Sequence, residues 1–200
     1  MFNDLSSPLA LLATRRSGRP RDLVAPGPDA AQLRAILEIA TRSPDHGKLH
    51  PWRFVHIPRA RRGDFAALLD AAYRADHPDP GRLELEANAR FANQAPELIV
   101  ALSSPTEGIK IPLWEQELSC GAACMNLLLA AHGSGFAAGW VTGWAAYSPL
   151  VLAAFGAPPE RIAGFIFLGT PGVALEERPR PDYEEVVSEW TGDRPIQFSA

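Results

Sequence analysis

The stretch LWEQELSCGAACMNLLLAA, residues 113–131, decides how the chain is read. Its first turns are polar, with Glu115, Gln116 and Glu117. Beyond Ser119 it is almost wholly apolar or small. A helix that is apolar on every side is buried all round. The segment therefore predicts the central helix of a core or of a subunit interface. Gly121, with Ala122 and Ala123, lets another backbone come close. The turn residues His132-Gly133-Ser134-Gly135 end it.

Outward from this helix, short apolar runs alternate with helical patterns. Trp52–Ile57, Leu98–Leu102, Phe136–Val141 and Ile162–Leu168 read as strands closed by proline, serine or glycine. Ser7-Pro8 announces a first helix to about Thr14. Asp29 with Gln32 forms a capping box before Leu33, Ile36, Leu37 and Ala40, and Pro44 stops that helix. Asp64–Tyr73 and Glu84–Asn93 predict two more helices around an exposed loop at residues 75–82. Ser148-Pro149 caps another helix, ended by Gly156. The tail after Thr170 is polar and rich in Pro and Arg, with no core of its own. An arm of that kind predicts docking on a partner subunit.

Composition narrows the class. The chain has 200 residues, 46% apolar and 21% charged, which is ordinary for one globular domain. A net charge of −4 argues against a general nucleic-acid binder. No apolar run approaches the roughly 18 residues of a membrane span, and the N-terminus does not read as a secretory signal. Cys120 and Cys124 are too few for a disulfide framework, which predicts a cytoplasmic protein. Of 19 basic residues only Lys48 and Lys110 are lysine. Codon bias explains most of that excess, although Arg also binds flat anions with a rigid fork.

Searches for a P-loop, G-x-G-x-x-G, G-x-S-x-G or H-E-x-x-H find nothing. His46 and His50 are four apart, but Pro44, Gly47 and Pro51 make their segment a loop, and no third ligand is evident, so no metal is expected. Three polar turns remain: Arg15-Arg16-Ser17, Arg42-Ser43-Pro44-Asp45-His46 leading to Pro51-Trp52, and Gly139-Trp140-Val141-Thr142-Gly143-Trp144. Arg178 and Arg180 add cations in the tail. Arg forks suit a phosphate, and Gly-flanked backbone with Trp faces suits a flat heterocycle.

In order and spacing these turns, with Trp114-Glu115-Gln116-Glu117 and Gly169-Thr170-Pro171 after the last strand, resemble the nitroreductase family of FMN-dependent oxidoreductases. The resemblance is to its short, minimal branch and covers nearly the whole chain. It implies an α+β fold: a three-layer α/β/α sandwich with a central mixed sheet, in an intertwined homodimer with FMN at the subunit interface. Residues 1–200 would be one domain, with residues 171–200 the arm.

The resemblance also implies roles. Arg15, Arg16 and Ser17 would hold the FMN phosphate and ribityl chain, with Arg180, or Arg178 in its place, completing the phosphate site. Arg42 and His46 would reach flavin bound mainly by the other subunit. Trp140, Val141, Thr142 and Gly143 would lie along the isoalloxazine. Residues Ala130, Ala131, His132, Gly133, Ser134 and Gly135 match a stretch associated with nicotinamide cofactors. Two departures stand out. Lys48 and His50 occupy the Asn and Gln positions of a family N-x-Q-P-W pattern, and Val141 replaces an Arg of the short branch. Lys48 either stabilises reduced anionic flavin or points to water.

Local alternatives stay open. Arg15 and Arg16 complement a helix C-terminus equally well. His46 is explained by orientation from Asp45, Trp140 and Trp144 by packing, and Glu115 and Glu117 by a helix N-terminus. The expected activity is hydride transfer from NADH or NADPH through FMN to a nitroaromatic, quinone or related small acceptor, with ping-pong kinetics and no obligatory catalytic side chain. A flavin-storage module, a flavin enzyme of the same fold with another acceptor, and a flavin-free interaction protein are the alternatives.

Overall fold

The computed structural model describes residues 1–192. Helix α1 (Pro8–Thr14) opens as expected, with the Ser7 hydroxyl accepting from the Ala10 N–H. A two-residue strand β1 (Leu23–Val24) follows. Helix α2 (Ala30–Ala40) carries the expected Asp29–Gln32 capping box. Then come β2 (Trp52–His56), α3 (Arg62–Asp76), α4 (Arg82–Ala92), β3 (Glu97–Ser103) and the long helix α5 (Leu113–Gly133). Beyond it lie β4 (Ala137–Val141), α6 (Trp144–Tyr147), α7 (Pro149–Ala153), β5 (Arg161–Pro171) and α8 (Tyr183–Val186).

Strand β5 organises the sheet. One edge pairs with β3, whose other edge pairs with β2; the opposite edge pairs with β4 and then β1 in tandem. A mixed sheet was expected; all four pairings among the described residues are antiparallel. Alternation along the strands sends side chains to two cores. Leu98, Val100, Leu102, Phe165 and Phe167 face α3, α4, α6 and α7. Ile99, Ala101, Ile166 and Leu168 face α2 and α5. Helices thus cover both faces, which gives the three layers.

Several boundaries differ from the sequence reading. Helix α3 begins at Arg62, directly after a tight turn at Arg59–Arg61. The Arg62 guanidinium is buried, 1% exposed, and donates to four carbonyls: Ile57, Ala92, Gln94 and Pro96. Burial lowers its pKa to about 10, so it stays charged at neutral pH. The elements β1, α6 and α8 were not expected; each is four residues or shorter, below the reach of periodicity. The tail is therefore not wholly irregular.

One irregularity positions a site residue. The β3–β5 register shifts between Ala101 and Leu102, so Ala163 has no partner in the ladder. Its carbonyl accepts instead from the Trp140 indole at 3.0 Å. Gly164, at φ +155°, makes room; a Cβ there would come within 2.2 Å of the Trp140 Nε1.

Candidate functional site

The residues singled out above fall into two groups at opposite ends of α5. The first gathers around its C-terminal end. Asn3 clamps the basic turn, accepting from the Arg16 N–H at 2.8 Å and donating to the Arg16 carbonyl at 3.2 Å. The Gly18 N–H donates to the Ala138 carbonyl, which docks the turn on β4. Residues 15–17 are thereby set beside the strand that ends in the Trp140–Gly143 loop. Arg15 donates to the Ser17 hydroxyl at 3.1 Å. Burial, then the nearby charges of Arg180 and Arg16, weaken its hold on its proton. The charges of Arg16 and Arg180 thus lie close enough to Arg15 to repel it.

Acidic tail residues partly compensate. Glu176 pairs with Arg19 at 2.9 Å, its carbonyl accepts from the Arg16 Nε at 2.5 Å, and Glu177 reaches Arg180 at 3.5 Å. Neither carboxylate pairs with Arg15. A half-buried guanidinium crowded by like charges is suited to a phosphate dianion. Arg178 forms no ion pair among the described residues and places only its backbone N–H against Glu177.

His132 stands at the back of this group. It is fully buried; Nδ1 lies 3.2 Å from the Phe136 carbonyl, and Nε2 has no partner. Burial, with a smaller effect from Arg15, lowers its pKa to about 4. This narrows the nicotinamide expectation. Ala130, Ala131 and His132 are buried inside the chain and present no surface to a ligand, because they form the last turn of α5 against the sheet. Only Gly133, Ser134 and Gly135 of that stretch are exposed.

Trp140, Thr142 and Gly143 are exposed, and Val141 is half-buried against the α3–α4 core. Gly143 has φ +105° and its carbonyl starts α6. Trp144 packs edge-on against Tyr73 (5.0 Å), and Tyr73 stacks on His77 (4.1 Å). The Tyr73 hydroxyl donates to Glu84 at 3.0 Å. The segment with the exposed loop is thus pinned beside the Trp140–Gly143 loop.

The second group lies at the N-terminal end of α5. Arg42, His46 and Lys48 are all exposed. His46 Nδ1 lies 2.8 Å from Glu115, the first-turn acid of α5. Asp45 does not orient His46; its carboxylate accepts from the His50 N–H at 2.8 Å. Gly47, Lys48 and His50 have φ of 84°, 56° and 50°, left-handed backbone on either side of Leu49, and Lys48 is exposed. The Ser119 hydroxyl donates to the Pro44 carbonyl, tying the loop to α5. The role of Glu115 was missed because nothing local distinguishes it from an ordinary N-terminal acid. No group of three metal-ligating side chains occurs among the described residues.

From Glu115 to His132 a helix rises about 25 Å. The two groups therefore cannot meet on one small ligand within one chain.

A family model described as the nitroreductase family matches residues 12–170. The chain belongs to that family. It is 38% identical over 164 residues to "Putative NAD(P)H nitroreductase YdjA" of Escherichia coli (strain K12), covering 82% of this chain and 87% of that protein. Among solved structures, a nitroreductase-like family protein from Bacillus cereus superposes with a TM-score of 0.77 at 21% identity, covering 94% of this chain and 97% of that one. A Bacteroides fragilis nitroreductase with bound FMN gives 0.67 at 22% identity, with 90% and 98% coverage. The fold is thus a nitroreductase fold. Among the described residues no helix is long and apolar enough to cross a membrane.

Proposed function

We propose that this chain is an FMN-dependent oxidoreductase that works as a cytoplasmic homodimer, passing electrons from NADH or NADPH to a nitroaromatic, quinone or related small acceptor. The observation that carries this reading is the separation of the two residue groups along α5. An antiparallel pairing of two copies of α5 would bring Arg42 and His46 of the partner subunit beside Arg15, Arg16 and Ser17. The surface of α5 supports such a pairing: Trp114 and Leu118 are 67% and 55% exposed on a helix whose other side packs into the core. The tail supports it too. Tyr183 and Trp190 lie exposed on an arm that buries no side chain among its described residues 172–192, suited to docking on the partner.

The basic turn fits a flavin phosphate, as the crowding of Arg15 by Arg16 and Arg180 indicates. In this reading those three guanidinium groups bind the phosphate, and the Ser17 hydroxyl steadies Arg15. The Trp140–Gly143 loop would lie along the flavin ring and help to orient it. Lys48 of the partner subunit would offer an exposed cation. When bound, FMN would supply the hydride and electron chemistry. The name of the YdjA relative and the FMN bound by the Bacteroides protein favour the same reading.

The decisive experiment is the visible spectrum of the purified protein before and after anaerobic addition of NADH or NADPH. A flavin spectrum that bleaches supports the proposal. A colourless protein that ignores added FMN overturns it, and a yellow protein that does not bleach replaces it with flavin storage. Sedimentation at micromolar concentration tests the dimer, which a clean monomer would remove.

A further inference from the structure

The chain that leaves β5 runs back along the basic turn and brings an acidic doublet to it. Its path is fixed by backbone contacts: Leu23 pairs with Pro171, the Gly172 N–H donates to the Asp22 carbonyl at 2.7 Å, and the Glu176 carbonyl accepts from the Arg16 Nε at 2.5 Å. Glu176 and Glu177 then turn their carboxylates to different arginines. Glu176 takes Arg19 at 2.9 Å. Glu177 takes Arg180 at 3.5 Å and also accepts from the Arg178 N–H at 2.8 Å. One other acid, Asp22, lines the small cavity of about 50 Å³ beside Arg16 and Arg19, and it lies 3.8 Å from Arg21.

The balance of charge gives the doublet a role. Arg15, Arg16, Arg19 and Arg180 bring four positive charges to this corner, and Glu176 and Glu177 offset two of them. The remaining two match one phosphate monoester, which carries about −2 at neutral pH. Without the doublet the same arginines would present all four, a setting that favours a more highly charged anion. Discrimination of this kind needs a repulsive element beside the attractive one. We infer that Glu176 and Glu177 are specificity-determining residues, which trim the arginine cluster to a single terminal phosphate and repel a terminal diphosphate. FMN ends in a single phosphate, so the inference rests on the flavin reading for the identity of the ligand. The preference between the two anions is measurable without flavin.

The test is calorimetric titration of the full chain, stripped of any flavin, with inorganic phosphate and with pyrophosphate. Glu176→Gln and Glu177→Gln each remove one charge and keep an oxygen that can accept from the same donors. Each is expected to tighten phosphate binding about twofold and pyrophosphate binding about fourfold, within the range of exposed charge pairs, so the double variant shifts the ratio about fourfold towards pyrophosphate. Added salt should shrink that shift. Glu38→Gln makes the same charge change beside Arg34 on α2 and should leave the ratio as it is. An unchanged ratio in the double variant, an equal shift in Glu38→Gln, or a parent protein that binds neither anion would overturn the inference. Failure of the flavin reading shows separately, as a protein that binds phosphate with the stated preference and takes up no FMN.

Discussion

Gly139 and Gly18 meet backbone to backbone: a Cβ on Gly139 would lie 2.4 Å from the Gly18 carbonyl oxygen. This contact, with the Gly18 N–H to Ala138 hydrogen bond, holds the basic turn against β4. Backbone cannot yield as a flexible side chain does, so the turn must move if Gly139 gains a methyl group. Gly139→Ala is expected to cost about 1–3 kcal/mol, as overpacking does, and to weaken FMN binding. Thermal melting with and without FMN checks both; an unchanged FMN affinity would detach the turn from the site.

Arg15 stands at the centre of the phosphate proposal. Arg15→Gln removes the most crowded guanidinium and relieves Arg16 and Arg180 of its repulsion. The folded protein should hold its stability or gain slightly, while FMN affinity falls about tenfold or more. Fluorescence titration of FMN against the refolded apoprotein reads this directly.

Arg62 is a structural cation. Its fork holds four carbonyls that join the start of α3 to the end of α4 and the entry to β3. Arg62→Met leaves those carbonyls without their donor, and a loss of about 3 kcal/mol or more is expected in urea unfolding. Arg62→Lys should rescue only part of it, because an ammonium does not reproduce the planar fork.

Acid should act in two windows. His132 is held neutral by burial, with a pKa near 4 against an ordinary 6.5. Between those values the unfolded chain binds the extra proton, so stability falls as pH drops from about 6.5 towards 4. Glu160 is held near 2 by Arg53, with help from Ser104 and the Ala157 N–H. Its contribution is present above about 4.5 and is lost as pH falls towards 2. Urea midpoints measured from pH 7 to pH 3 should decline through both ranges. His132→Leu should flatten the upper window, and Glu160→Gln the lower one.

Much of the fold was legible because burial writes itself into local periodicity. The apolar run of α5, the Asp29–Gln32 box, the Ser7-Pro8 cap and the four longer strands all came from residues within a few positions of one another. The short elements β1, α6 and α8 did not, since too few residues carry a period. Sheet order and strand direction were equally out of reach, because they depend on which edges meet.

The site divides the same way. The sequence by itself determined which residue types were available: a basic turn after α1, a polar loop after α2, a Gly-Trp loop after β4, and an apolar central helix. Only the tertiary structure decided that Arg15 is crowded by Arg180, that His46 answers to Glu115 rather than Asp45, and that His132 is buried rather than offered to a ligand. It also set the two basic groups at opposite ends of α5. Local sequence fixes what each side chain can do, but distances between segments far apart in the chain follow from packing and register, which no short window contains.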